Sequence, residues 1–155
     1  MSHESVIDAF EVQQFIQRTA TLLNAENLEQ WLQQFGSGGR YEISAYSTEL
    51  GRELAWWKQE LPELQKTISE VPRHVRDSAR RLHVLGTPLI TVTGDEAQAQ
   101  TTFSVFRTLP TGETSLFAVG RYVDDIVRVA GAWRYSLHRV QLDTRVLDAF
   151  THLPL

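Results

Sequence analysis

Two histidines and one carboxylate can hold a non-haem iron, so histidines and their acidic neighbours are the first residues to weigh. The chain has 155 residues and five histidines: His3, His74, His83, His138 and His152. No His-Glu-x-x-His run sets two imidazoles on one helix face. His74 and Asp77 stand three apart, and His83 follows within nine residues. That segment is rich in arginine and polar, which places His74 and Asp77 in water rather than around a metal. There is no cysteine. Disulfides, cysteine-bound structural zinc and thiolate-bound iron–sulfur clusters are therefore excluded. No metal ligand and no cofactor ligand is assigned to this chain.

Nucleophilic catalysis needs an activated serine or cysteine beside a base. The chain has no Gly-x-Ser-x-Gly run. Gly36-Ser-Gly-Gly39 resembles a phosphate cradle only superficially, because it follows a helix and precedes a strand and lacks the Gly-Lys-Ser/Thr ending. It reads as a loop that ends a helix. General acid–base chemistry needs a buried acid or histidine with a shifted pKa. The strand-borne candidates are His83, His138, Asp124 and Asp125. Alternation puts Trp133, Tyr135 and Leu137 on one face, so Arg134, Ser136 and His138 are expected on the outer one. Asp124 and Asp125 are expected near a turn. No catalytic residue is assigned.

The elements that would position these residues follow from periodicity. Val6, Phe10, Phe15, Leu22 and Leu23 recur at helical spacing, with Ser5 or Asp8 available as a cap. A second short helix carries Leu28, Trp31, Leu32 and Phe35 on one face. Arg40 to Ser47 alternates as a strand. Leu50 to Glu70 is Glu-rich and reads as partly helical, interrupted by Pro62 and Pro72. Trp56 and Trp57 lie inside it; neighbours on a helix point about 100° apart, so one of them would fall outside the core. A helical turn is expected over Arg73 to Arg81. From Leu82 the period becomes two. Leu89–Thr93, Ala97–Leu109, Glu113–Val129 and Trp133–Asp143 read as strands, with turns at Gly94-Asp95, Thr108–Gly112 and Ala130-Gly131. The tail from Arg145 to Leu155 holds one helical turn. Helices first and then a meander of long antiparallel strands is an α+β order, with helices packed on one side of a curved sheet. It is one domain over residues 1–155.

Composition bounds the partners. The net charge is −4 and 42% of residues are apolar. A weakly acidic chain does not hold nucleic acid or an anionic membrane by bulk charge. No apolar run reaches the roughly 20 residues of a membrane helix. The start Met-Ser-His-Glu-Ser lacks the basic and apolar regions of a signal peptide, so a cytoplasmic location is expected. Thirteen of the 15 basic residues are arginine, which suits ion pairs at interfaces. Trp31, Trp56, Trp57 and Trp133, with seven Phe and four Tyr, mostly supply the core and leave the Trp56-Trp57 pair as either an interface or an exposed apolar loop.

Several segments resemble a known family. They are Arg80-Arg-Leu-His-Val84, Phe103-Ser-Val-Phe-Arg107, Gly120-Arg-Tyr-Val-Asp124, and Gly131-Ala-Trp-Arg-Tyr135 followed by Arg139-Val-Gln-Leu-Asp143. Trp31, Phe35 and Arg40-Tyr41-Glu42 extend the likeness to the first helices and strand. The order resembles the cone fold of nuclear transport factor 2, ketosteroid isomerase and scytalone dehydratase (cystatin-like). More closely it resembles the small (β) subunit of aromatic-ring-hydroxylating, Rieske-type dioxygenases. The Leu-Pro-Leu ending looks like the terephthalate, anthranilate and salicylate-type branches.

The resemblance implies a division of labour. A large α subunit carries the Rieske 2Fe-2S cluster and a mononuclear iron. The β chain packs beneath it, typically as α3β3, and a β trimer is compatible with that. The whole enzyme would insert dioxygen into an aromatic ring with electrons from NAD(P)H, in the breakdown of aromatic compounds. The family offers no catalytic residue to carry over. Leu50–Glu70, with its Trp pair, matches no family motif and is a candidate contact with the large subunit. Two other readings stay open: a stand-alone cone-fold isomerase or dehydratase with an inward acid or base, and a binding module without catalysis.

Overall fold

The computed structural model describes residues 2–71, 77–147 and 153–155. Helix α1 spans His3–Asn24. Its cap is Ser2, not Ser5 or Asp8: Ser2 Oγ accepts from the Ser5 amide at 3.2 Å. The buried face carries Val12, Phe15, Ile16, Thr19, Ala20 and Leu23. Val6 and Phe10, which share the helical spacing of the apolar residues, are exposed along with Ile7, although Asp8, between them in sequence, pairs with Arg128 of the sheet. A short helix α2, Leu28–Leu32, is capped by Asn27 and buries Trp31. Phe35 is not on that helix but opens strand β1.

Strand β1 covers Phe35–Ser47. It includes Gly36–Gly39, which was expected to be a loop. The register against the last strand breaks between Phe35 and Arg40, so the glycines form an irregular stretch within the strand. A Cβ on Gly39 would stand 2.9 Å from the carbonyls of Gly36 and Tyr135, a clearance only glycine meets.

The Leu50–Glu70 segment is the largest departure from expectation. Thr48–Gly51 turns the chain, with Gly51 at φ 61°. Strand β2, Arg52–Glu60, then pairs antiparallel with β1. Helix α3, Leu61–Glu70, follows directly, and Pro62 lies in its first turn, where a missing N–H costs nothing. Trp56 and Trp57 are therefore on a strand and diverge for a different reason. Trp57 opposes Ile43, while Trp56 is the extra residue of a bulge between Ile43 and Ser44. Trp57 packs edge-on against Tyr41 at 5.5 Å. Its Nε1 donates to Gln59 Oε1, and Gln59 donates in turn to Thr67 on α3. Trp56 is 44% exposed.

The remaining strands are β3 (Arg80–Leu85), β4 (Leu89–Thr93), β5 (Glu96–Thr108), β6 (Thr114–Val129) and β7 (Ala132–Leu142). Of the helical turn expected over Arg73–Arg81, Arg73–Arg76 lie outside the described residues, Asp77–Ala79 are not helical, and Arg80 already starts β3. Of the helical turn expected in the tail from Arg145 to Leu155, 148–152 lie outside the described residues, and 145–147 and 153–155 are not helical. The sheet has seven strands in the order β2-β1-β7-β6-β5-β3, with β4 also on β5. All pairings are antiparallel except β1 with β7. The helices gather on one side. Phe15 of α1 meets Tyr135 of β7 at 4.7 Å, and α3 packs Leu64 and Ile68 toward β1. The α+β architecture with helices on one side of a mostly antiparallel sheet stands as expected.

The strand assignment of the Trp pair fixes a measurable difference. Trp57→Ala should lower unfolding free energy by ~2–4 kcal/mol, whereas Trp56→Ala should stay within ~0.5 kcal/mol. Urea unfolding midpoints check both; equal losses would place the two side chains on the same face.

Candidate functional site

Sheet register assembles the chemistry-bearing residues into one row. Ala99 of β5 opposes Asp124 of β6, Asp124 opposes His138 of β7, and His138 opposes Tyr41 of β1. The row faces inward. Asp124 is 1% exposed and lies mid-strand rather than near a turn; His138 is 1% exposed rather than on the outer face.

The reason is a bulge. Asp125 opposes Leu137 but Ile126 opposes Tyr135, which leaves Ser136 as the extra residue on β7. Its hydroxyl donates to the Asp125 carbonyl at 3.0 Å. Before the bulge Trp133 and Tyr135 point inward; after it His138, Val140 and Leu142 do. A one-residue insertion reverses the phase of everything downstream. The sequence carries a trace of this, since the apolar positions of β7 switch from odd (133, 135, 137) to even (140, 142).

His138 Nδ1 and Asp124 Oδ1 lie 2.6 Å apart and share a proton. Aromatic rings wall the pair in. Tyr135 stacks on the imidazole at 4.4 Å, Tyr122 approaches at 4.9 Å, Tyr41 at 5.7 Å and Phe35 at 6.3 Å. Burial pushes the Asp124 carboxyl up, and His138 opposes the shift. Burial likewise raises the Tyr41, Tyr122 and Tyr135 hydroxyls. Tyr41 ties the C-terminal Leu155 to the interior. Its hydroxyl accepts from the Leu155 amide at 2.8 Å and donates to the Leu155 carbonyl at 3.2 Å.

His83 enters the same interior from β3 and is 7% exposed. Its Nδ1 meets Asn24 Oδ1 at 2.8 Å, and that oxygen also accepts from the His83 amide. Burial, with Arg81 and His138 nearby, lowers its pKa to about 4, so the ring is neutral and Nδ1–H is the donor. Tyr122 OH, Thr101 Oγ1, His83 Nε2 and Asp124 Oδ2 have no hydrogen-bond partner among the described residues.

The other candidates are not brought together. Asp77 grips Arg107 through two 2.6 Å bonds, with Arg81 at 3.7 Å, and Arg107 holds its carboxyl at about 2. It serves an ion-pair cluster rather than a metal. Asp125 lies half-buried on the outer face and His3 is exposed on α1. His74 and His152 lie outside the described residues. The donor set does not fit a Rieske cluster or a three-ligand iron site: there is no cysteine, and no group of three His, Asp or Glu that could hold a metal forms among the described residues.

What the arrangement can do is limited by access. A general base must come within about 2.6–3.2 Å of the proton it takes. The Asp124 and His138 side chains are 0% and 2% exposed. As it stands, the pair is enclosed, with Asp124 Oδ1 bound to His138 Nδ1.

The chain matches the SnoaL-like domain over residues 4–139 and belongs to that family. It is 29% identical over 150 residues to the β subunit of 2-aminobenzenesulfonate 2,3-dioxygenase from an Alcaligenes species, covering 96% of this chain and 100% of that one. It is 26% identical over 155 residues to a β subunit of the terephthalate 1,2-dioxygenase terminal oxygenase of a Comamonas species, covering 97% and 100%. Among solved structures it superposes on the β subunit assigned to an aromatic-ring-hydroxylating dioxygenase of Novosphingobium aromaticivorans. The TM-score is 0.81 at 23% identity, over 92% of this chain and 93% of the other. The resemblance to oxygenase β subunits read from the sequence thus runs along nearly the whole chain. No helix among the described residues is long and apolar enough to cross a membrane.

The neutral His83 gives a pH signature. Its folded pKa lies below the ordinary value, so the unfolded chain takes up this proton first as pH falls. Stability from this group is complete above about pH 6.5 and is lost as pH falls toward about 4, up to about 3 kcal/mol. Buried Asp124 acts in the opposite sense, so the comparison must be with a variant. His83→Gln should flatten the rise in denaturant midpoint across that window. An unchanged slope would mean that His83 is not held neutral.

Proposed function

We propose that this chain is the small, non-catalytic (β) subunit of a multicomponent Rieske-type oxygenase that acts on an aromatic ring. The carrying observation is the match to a dioxygenase β subunit over 96% of this chain and 100% of that one. The 2Fe-2S cluster and mononuclear iron belong to the large subunit, with which this chain assembles as α3β3 in the cytoplasm. The lack of cysteine supports placing the cluster elsewhere. The enclosure of Asp124 and His138 supports a structural role for that acid–base pair.

One observation favours a second reading. An inward Asp–His pair, with Tyr122 OH and Asp124 Oδ2 unpartnered, is the equipment of a cone-fold isomerase or dehydratase. Magnitude separates the two. General acid–base catalysis contributes about 10²–10⁴ in rate, so Asp124→Asn in the assembled enzyme should leave kcat within about two-fold on the subunit reading. A loss of about a hundredfold with assembly intact would mean that Asp124 takes part in catalysis and would contradict a non-catalytic β chain. The subunit reading itself is tested by co-expression with the neighbouring reading frame. The expected result is one complex on a sizing column, its larger chain carrying Cys-x-His and Cys-x-x-His sets; a small chain eluting alone would contradict it.

A further inference from the structure

Residues Leu153–Leu155 enter the interior without joining any strand or helix. Leu155 is 0% exposed and belongs to the core cluster, Pro154 is buried, and Leu153 packs against the same cluster. Backbone taken into a core must find partners for its polar groups. Pro154 has no N–H to satisfy. Leu155 meets the demand through one side chain: its amide donates to the Tyr41 hydroxyl, and that hydroxyl donates to its carbonyl.

The anchor stands in an aromatic setting next to the acid–base pair. Tyr41 is met edge-on by Trp31 at 5.1 Å and by Trp57 at 5.5 Å, and its ring lies 5.7 Å from that of His138. Tyr122 is close enough that, after burial itself, Tyr41 helps to raise its hydroxyl pKa. Tyr122 OH and Asp124 Oδ2 are buried and have no hydrogen-bond partner among the described residues. Beside Leu155 there are thus aromatic walls, one hydroxyl that both accepts and donates, and two further polar atoms that the fold does not use.

We propose that Leu153–Leu155 is a built-in plug in an interior ligand site anchored by Tyr41, and that the site takes a small, neutral, apolar amide when the plug withdraws. The ligand class follows from what the plug presents there: an N–H, a C=O and an isobutyl group. An amide carries its donor and acceptor side by side, and aromatic walls suit an apolar body. A charged ligand would lose its hydration in an enclosed interior with no partner of opposite sign assured. Withdrawal can be local. Leu153–Leu155 take no part in the sheet ladders, and such segments open at lower free energy than central strands. With the plug seated, Asp124 and His138 stay enclosed. The inference does not depend on assembly with a large subunit.

Two measurements on the isolated chain test it. In native-state amide exchange, Leu155 should exchange at least about a hundredfold faster than Val140, buried in the middle of β7, and at a rate that low urea does not change. Leu155→Gly removes the isobutyl group that seats the plug. That variant should bind N-acetyl-leucinamide at least about tenfold more tightly than wild type, because more of the population is open to the probe. Adding Tyr41→Phe should abolish the gain, since the hydroxyl anchor is gone. A folded Leu155→Gly that binds no better than wild type, or a gain that survives Tyr41→Phe, overturns the inference. Should Leu155→Gly fail to fold, the exchange result decides alone: a Leu155 amide that exchanges only when the whole chain unfolds overturns the plug.

Discussion

The hydrogen bond between Asp124 and His138 is the constraint that the interior is built around. A carboxylate and an imidazole taken out of water are tolerable only when each satisfies the other in good geometry. At 2.6 Å they do. Meeting that requirement takes three separate features of the chain. The Ser136 bulge turns His138 inward, the register of β6 against β7 places Asp124 opposite it, and the Tyr41–Leu155 clamp ties down the C-terminus. Tyr135 and Tyr122 then close the sides. Removing either member of the pair would leave the other buried without its partner, the most costly kind of loss in a low-dielectric interior.

The same register that closes the inside shapes the outside. Inward residues consume the aromatic rings and the buried acid–base pair. Alternate residues on the outer face carry apolar rows near the β5–β6 hairpin and a charged row further along, where Glu42 accepts from Arg139 at 2.9 Å. A protein with an enclosed acid–base pair and patterned faces suits a role in assembly. The full-length likeness to oxygenase β subunits agrees with that. The related cone-fold enzymes would need the opposite arrangement, an interior open enough for a substrate to reach the acid.

Much of the fold was legible from periodicity. The long β5, β6 and β7 strands and their turns follow from period-two patterning closed by Gly94, Gly112 and Gly131. The hairpin of β1 and β2 was not, because Arg52–Glu60 alternates poorly on an edge strand, and Pro62 reads as a helix breaker when it starts a helix. The inward pair was missed for a sharper reason. Alternation predicts the face of His138 only while the strand stays in phase, and a single extra residue at Ser136 reverses it. Asp124 was obscured because β6 is apolar on both faces: Val119, Val123 and Val127 on one, Tyr122 and Ile126 on the other. The parallel pairing of β1 with β7 joins the two ends of the chain, and no local pattern reports that.

The most direct measurement is proton NMR of the hydrogen shared by His138 Nδ1 and Asp124 Oδ1 in the native chain. A sealed structural pair should show a low-field resonance that exchanges slowly with water and does not move when small phenols or aromatic acids are added. A proton lost to fast solvent exchange, or one that shifts with such ligands, would mean that the interior is open, and would contradict the view that this chain works through its surfaces.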